Sequence, residues 1–88
     1  MSRRRVYSEN TLAVMGRFFQ AMEACKQQKH IKSVREYCAE IGVPTPHYYI
    51  QRKDLNRGFF EVGWMIPLVE KCHVSAYWLM TGKGQMFG

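Results

Sequence analysis

Among the side chains that could hold a metal or attack a substrate, this 88-residue chain has three histidines, His30, His47 and His73, and three cysteines, Cys25, Cys38 and Cys72. Their spacing supports neither use. Structural zinc sites draw on closely spaced pairs such as C-x-x-C or H-x-x-x-H, and none occurs. An odd number of widely separated cysteines makes no disulfide framework, and a reducing cytoplasm suits them best. Cys25 and Cys38 fall on apolar helical stripes, where a free cysteine behaves as a small hydrophobe. Gly82-Lys83-Gly84 is too short to cradle phosphate, and no serine, cysteine or carboxylate has an evident catalytic neighbour. These patterns point away from an enzyme, and no metal, cofactor or small-molecule ligand is expected.

The conspicuous residues that remain are cations. Thirteen Lys and Arg against seven Asp and Glu give a formal charge of +6. A positive excess favours polyanionic partners, with nucleic acid ahead of anionic membrane in a helical domain. The cations collect at Arg3, Arg4 and Arg5, at Lys26, Lys29, Lys32 and Arg35, and at Arg52, Lys53 and Arg57. Charge alone is also what an ordinary solvated face carries. No apolar run reaches the roughly 18 residues needed to span a bilayer, and the Arg-rich start leads into a helix interrupted by polar residues, not a signal-peptide core. The greasiest segment, GFFEVGWMIPLV at 58–69, contains Glu61, Gly63 and Pro67 and reads as a loop feeding a buried helix.

The elements that must position these cations are helical. With 47% hydrophobic and 23% charged residues, the chain reads as one globular domain, 8–88, preceded by a flexible basic arm, 1–7. Ser8 or Asn10 caps a first helix reaching about Gln27, with Leu12, Met15, Phe19 and Met22 on one stripe and Val14, Phe18 and Cys25 beside it. Ser33-Val34-Arg35-Glu36 matches a capping box; Val34, Tyr37, Cys38 and Ile41 follow at helical spacing, Gly42 ends the helix, and Val43 points inward. Thr45 is placed to cap a third helix, 46–53, with Pro46 at its first position. After a loop at 54–60, a fourth helix over about 62–72 would bury Val62, Ile66 and Val69. Pro67 fits there only close to the first turn, so the helix must begin late or kink. Val74-Ser75 opens a last short helix, AYWLM, in which Trp78 and Leu79 close the core before Thr81-Gly82-Lys83-Gly84 stops it. The expected fold is all-α, a compact four- to five-helix bundle.

Within it, SVREYCAEIGVPTPHYYIQRK at 33–53 places two short helices on either side of a break too tight for anything but a bend. That is a helix-turn-helix, which projects one short helix to where it can enter a DNA major groove. Together with VSAYWLMTGKGQM at 74–86, the segment resembles the phage repressor and Cro-like (XRE-type) helix-turn-helix DNA-binding domains, whose last helix commonly reads V-S-x-x-W-L-L-T-G-x-G. The resemblance covers about residues 9–87. It implies a lambda-repressor-like fold and a bacterial or phage-encoded regulator that binds double-stranded DNA sequence-specifically, usually as a dimer, to control transcription. Carried over by position, Tyr37, Cys38, Ile41 and Val43 take the family's buried sites, with Cys38 where a small residue lets the two helices touch. Tyr48 takes the next buried site. Thr45, His47, Tyr49, Ile50 and Lys53 lie at or beside the sites that read bases or touch backbone. The chain departs from the pattern at Gln51, where the family places an aliphatic residue, at Pro44 and Pro46 around the start of the third helix, and at Gly63 and Pro67 in the fourth.

With the 46–53 helix in the groove, Thr45 and His47 can exchange hydrogen bonds with base edges, and Ile50 or Tyr49 can press on a thymine methyl. No arginine has a clear base-reading position, so specificity would lean on DNA shape and on the arm. Ser33, Arg35, Arg52, Lys53 and Arg57 are the expected phosphate contacts, and Arg3, Arg4 and Arg5 a minor-groove arm. Phe59, Phe60, Trp64, Trp78, Met86 and Phe87 exceed what one small core absorbs, which points to a homodimer through the fourth and fifth helices. The competing expectation is a protein-interaction module on the same fold, an antitoxin, antirepressor or structural phage component, whose DNA contacts have been lost; Pro44, Pro46 and Gln51 would fit it.

Overall fold

Ser8, Ser33 and Ser75 each open a helix by the same device. The Ser8 hydroxyl accepts from the Thr11 N–H at 3.2 Å, Ser33 from the Glu36 N–H at 3.1 Å, and Ser75 from the Trp78 N–H at 3.1 Å. Each satisfies a donor that the first turn leaves without an intrahelical partner. The computed structural model describes residues 6–88, in which five α-helices follow one another. They are α1 (Glu9–Gln27), α2 (Val34–Ile41), α3 (Thr45–Lys53), α4 (Ile66–Lys71) and α5 (Ala76–Thr81), with a 3-10 turn at Val62–Met65 running directly into α4. The described residues contain no strand, only an isolated bridge between Val74 and Phe87. The chain is thus an all-α bundle of five short helices. No helix among these residues is long and apolar enough to cross a membrane.

The core is built on α1, whose Met15, Phe18, Ala21, Met22 and Cys25 are fully buried. The Phe18 ring meets those of Phe19, Tyr37, Tyr48 and Phe60 at centroid separations from 5.0 to 6.4 Å, within the range of favourable edge and tilted contacts. One side chain therefore ties α1 to α2, α3 and the loop after α3. Gly42 ends α2 at φ 74°, in the left-handed region, and the Val43 N–H returns to the Cys38 carbonyl at 2.9 Å while its side chain is buried. The bend at 42–44 is pinned from inside, which fixes α3 against α2. The Tyr37 hydroxyl donates to the Trp64 carbonyl, joining α2 to the turn before α4. Burial pushes the Cys25 thiol up to about 12, helped by neighbouring Cys72, and raises Cys38 and Cys72 as well. At neutral pH all three are protonated packing groups.

Two elements differ from the sequence pattern. The third helix begins at Thr45, with Pro44 as a cap that contributes no side-chain hydrogen bond, so Thr45 is the first helical residue and not the cap. Pro46 still sits in the first turn, where its missing N–H has no partner to lose. The larger difference is at 62–72. Trp64, Met65, Pro67 and Leu68 are buried, whereas Val62 is 64% and Ile66 54% exposed, and Val69 is exposed too. The 3-10 turn advances about three residues per turn and α4 starts only at Ile66, so one helical period carried across 62–72 counts onto the wrong face. Pro67 lands in the first turn of α4, as a late start requires. The aromatic surplus is also smaller than expected. Trp64 and Trp78 are buried, Phe60, Met86 and Phe87 are half-buried, and Phe59 is the member left exposed.

Candidate nucleic-acid interface

At about 3.6 residues per turn, α3 sorts its side chains onto an inner and an outer face. Tyr48 and Gln51 point into the protein and are buried. Tyr49 and Ile50 point outward, 41% and 49% exposed, alongside Pro46 and Lys53. Thr45 is half-buried at the N-terminal edge. Arg35 on α2, Arg52 and Lys53 at the end of α3 and Arg57 in the loop after it are exposed, and Ser33 is half-buried at the start of α2.

The outward residues are not equally free. The Tyr49 ring meets Tyr48 edge-on at 5.1 Å, and the Arg52 guanidinium carbon lies over it, 5.2 Å from its centroid. Arg52 also pairs with Glu23 on α1 at 3.7 Å, a surface contact of little strength because both side chains are about half exposed. Tyr49 is thereby braced, and Arg52 lies back toward α1.

His47 occupies the flank of α3. Its ring packs against Phe59 at 5.6 Å and Trp64 at 6.0 Å, and its Nε2 is 3.3 Å from the Phe59 carbonyl oxygen. Gly58, at φ 79°, leaves room for that ring, which a Cβ at position 58 would overlap. The expected base contact of His47 is therefore placed beside the 54–60 loop and away from the outer face. The same loop holds Tyr7, whose N–H donates to Asn56 Oδ1 at 3.2 Å and whose hydroxyl donates to the Gly58 carbonyl at 2.9 Å. The inner end of the expected arm is thus fastened next to α3. Arg3, Arg4 and Arg5 lie outside the described residues.

Tertiary contacts pair two groups that spacing keeps apart. His30 and His73 meet edge to face at 6.1 Å, with Phe87 5.5 Å from His30, because the backbone turns through left-handed residues at Lys29 and His73. Among the described residues no group of three or more His, Cys, Asp or Glu could hold a metal ion. Arg17 donates from Nε to the Leu79 carbonyl at 2.7 Å and from Nη2 to the Met80 carbonyl at 3.1 Å, closing the C-terminal end of α5. The available signal for it was a lone arginine set among the apolar positions of α1. Sequence reasoning also missed a shallow apolar groove between α4 and α5, lined by Val62, Ile66, Val69 and Met80 above Met65 and Leu79.

No protein-family model, curated protein or solved structure matches this chain.

Proposed function

We propose that this protein is a sequence-specific DNA-binding transcriptional regulator of the repressor/Cro-like kind it resembles. In this reading it is a cytoplasmic, bacterial or phage-encoded protein with no catalytic step, and it inserts α3 into the major groove of double-stranded DNA. The observation that carries the reading is the outer face of α3. Tyr49, Ile50, Pro46 and Lys53 are exposed on a helix whose Tyr48 is buried behind them, and Arg52 on the same helix, Arg57 in the loop after it and Arg35 on α2 are exposed as well. An exposed helical face on a chain with exposed cations at Arg35, Arg52, Lys53 and Arg57 suits a groove floor of base edges between phosphate walls. Ser33, at the first turn of α2, and the four cations would hold phosphates. Tyr7, the inner end of the basic arm, is fastened to the loop beside α3, and in this reading Arg3, Arg4 and Arg5 reach a minor groove.

The test is a titration against random-sequence duplexes across salt concentrations. With roughly 5 to 6 phosphates neutralised per monomer, log K should fall against log salt with a slope of about −5. Arg52→Glu with Lys53→Glu should abolish binding while helical circular dichroism is retained. A slope near zero would defeat the reading.

The groove of Val62, Ile66, Val69 and Met80 favours association through α4 and α5, with a second copy as the first expectation. Light scattering that finds only monomer at high concentration would count against the dimer. The same groove favours the alternative, a protein-interaction module serving as antitoxin, antirepressor or structural phage component. Under that reading the Arg52 and Lys53 reversal leaves partner binding intact.

A further inference from the structure

We infer that base discrimination at the centre of this interface is made through thymine methyl groups, by Tyr49 and Ile50. The inference rests on the duplex-DNA reading above. Direct readout in the major groove normally uses polar forks: Arg or Lys on guanine, Asn or Gln on adenine, a carboxylate on cytosine. The middle of α3 withholds these groups. Its amide, Gln51, is fully buried on the opposite face. Arg52 lies against Tyr49 and Glu23, and His47 packs beneath Gly58 and Phe59. The helix TPHYYIQRK contains no Asn, Asp or Glu. Thr45 and Lys53 remain at its two ends, where they border the centre without covering it.

What faces outward mid-helix is largely apolar, the ring of Tyr49 with a single hydroxyl at its tip and the branched aliphatic chain of Ile50 at the next position. On the major-groove edges of the four standard base pairs the apolar feature is the thymine C5 methyl. The Tyr49 ring is already ordered by Tyr48 and Arg52, so little side-chain freedom is lost when it is pressed onto DNA.

Replacing thymine with deoxyuridine removes that methyl and leaves every hydrogen-bonding group of the base in place. Full-length protein would first be used to select tight duplexes from a random library at low salt. Each thymine of the winning duplex would then be changed to deoxyuridine, one position at a time. The expected result is weakening by about fourfold for each methyl contacted, confined to one or two adjacent positions, with the salt slope unchanged. Ile50→Ala, at an exposed position that opens no core, should bring the thymine-to-deoxyuridine ratio at one of those positions close to one. If selected duplexes bind equally with thymine and with deoxyuridine at every position, the methyl reading is overturned while DNA binding stands. If no duplex is enriched at low salt, the DNA reading fails and this inference fails with it.

Discussion

Replacing Gln51 with methionine should make this protein more stable. Gln51 is 0% exposed, and both Nε2 and Oε1 lack a hydrogen-bond partner among the described residues. An amide buried without compensation costs about 1–3 kcal/mol by mutational measures. Methionine keeps the unbranched chain and exchanges the amide for a thioether and methyl that adapt to irregular space. Such near-isosteric changes introduce less than about 1.5 kcal/mol of strain, so the net expectation is a gain of about 1–2 kcal/mol. For a domain of this size each kcal/mol moves the melting midpoint by roughly 4–8 °C, so Tm should rise by on the order of 5–15 °C. Calorimetry, together with urea melts whose m-value is unchanged, reads the effect directly. A lower Tm would refute the reasoning, because it would show that the amide is hydrogen-bonded in the folded protein and that its polarity is part of the core. As a control, Gln51→Glu places a charge at the same point and should be strongly destabilising.

Gly58→Ala should cost about 1–3 kcal/mol in urea melts, since the new methyl overlaps the His47 ring and the residue is held at φ 79°; unchanged stability would show that this loop does not clasp α3. The protein should also unfold in alkali. Burial raises the Tyr37 and Tyr48 hydroxyls above the ordinary value of 10.0, so both are neutral in folded and unfolded chains below that pH. Above it the unfolded chain ionises first and stability falls as pH rises, so two of the five tyrosines should resist ionisation in difference spectra until the fold is lost. The three thiols should likewise be inert to a disulfide reagent in the native state and react together in denaturant, because all three are buried.

Much of the helical framework was legible because it is decided within a few residues. The Ser8, Ser33 and Ser75 caps act on N–H groups three positions ahead, and the stops at Gly42 and Gly82 need only a backbone free to turn left-handed. The period of α2 likewise carried Tyr37 and Cys38 inward, and the resemblance to the repressor and Cro-like domains implied a buried site for Tyr48 and an outer one for Tyr49, as they stand in the structure. Beyond that range the structure is set by contacts between residues far apart in the chain. At 62–72 the packing of Trp64 on Phe60 and the bond from Tyr37 to the Trp64 carbonyl accompany a 3-10 turn, which rotates Val62 and Ile66 to the surface against their hydrophobicity. His47 is drawn to Phe59 and Gly58 by a loop that no spacing rule predicts, and Arg17 finds its carbonyl partners more than sixty residues along the chain. Gln51 is the sharpest case, since its type argues for water and its position on α3 places it in the core. Local rules determined the starts of α1, α2 and α5 and the glycine stops of α2 and α5; the late start of α4 and the flank by which it meets its neighbours were decided by long-range packing, in which the cost of a misplaced polar group is offset by the burial of the groups around it.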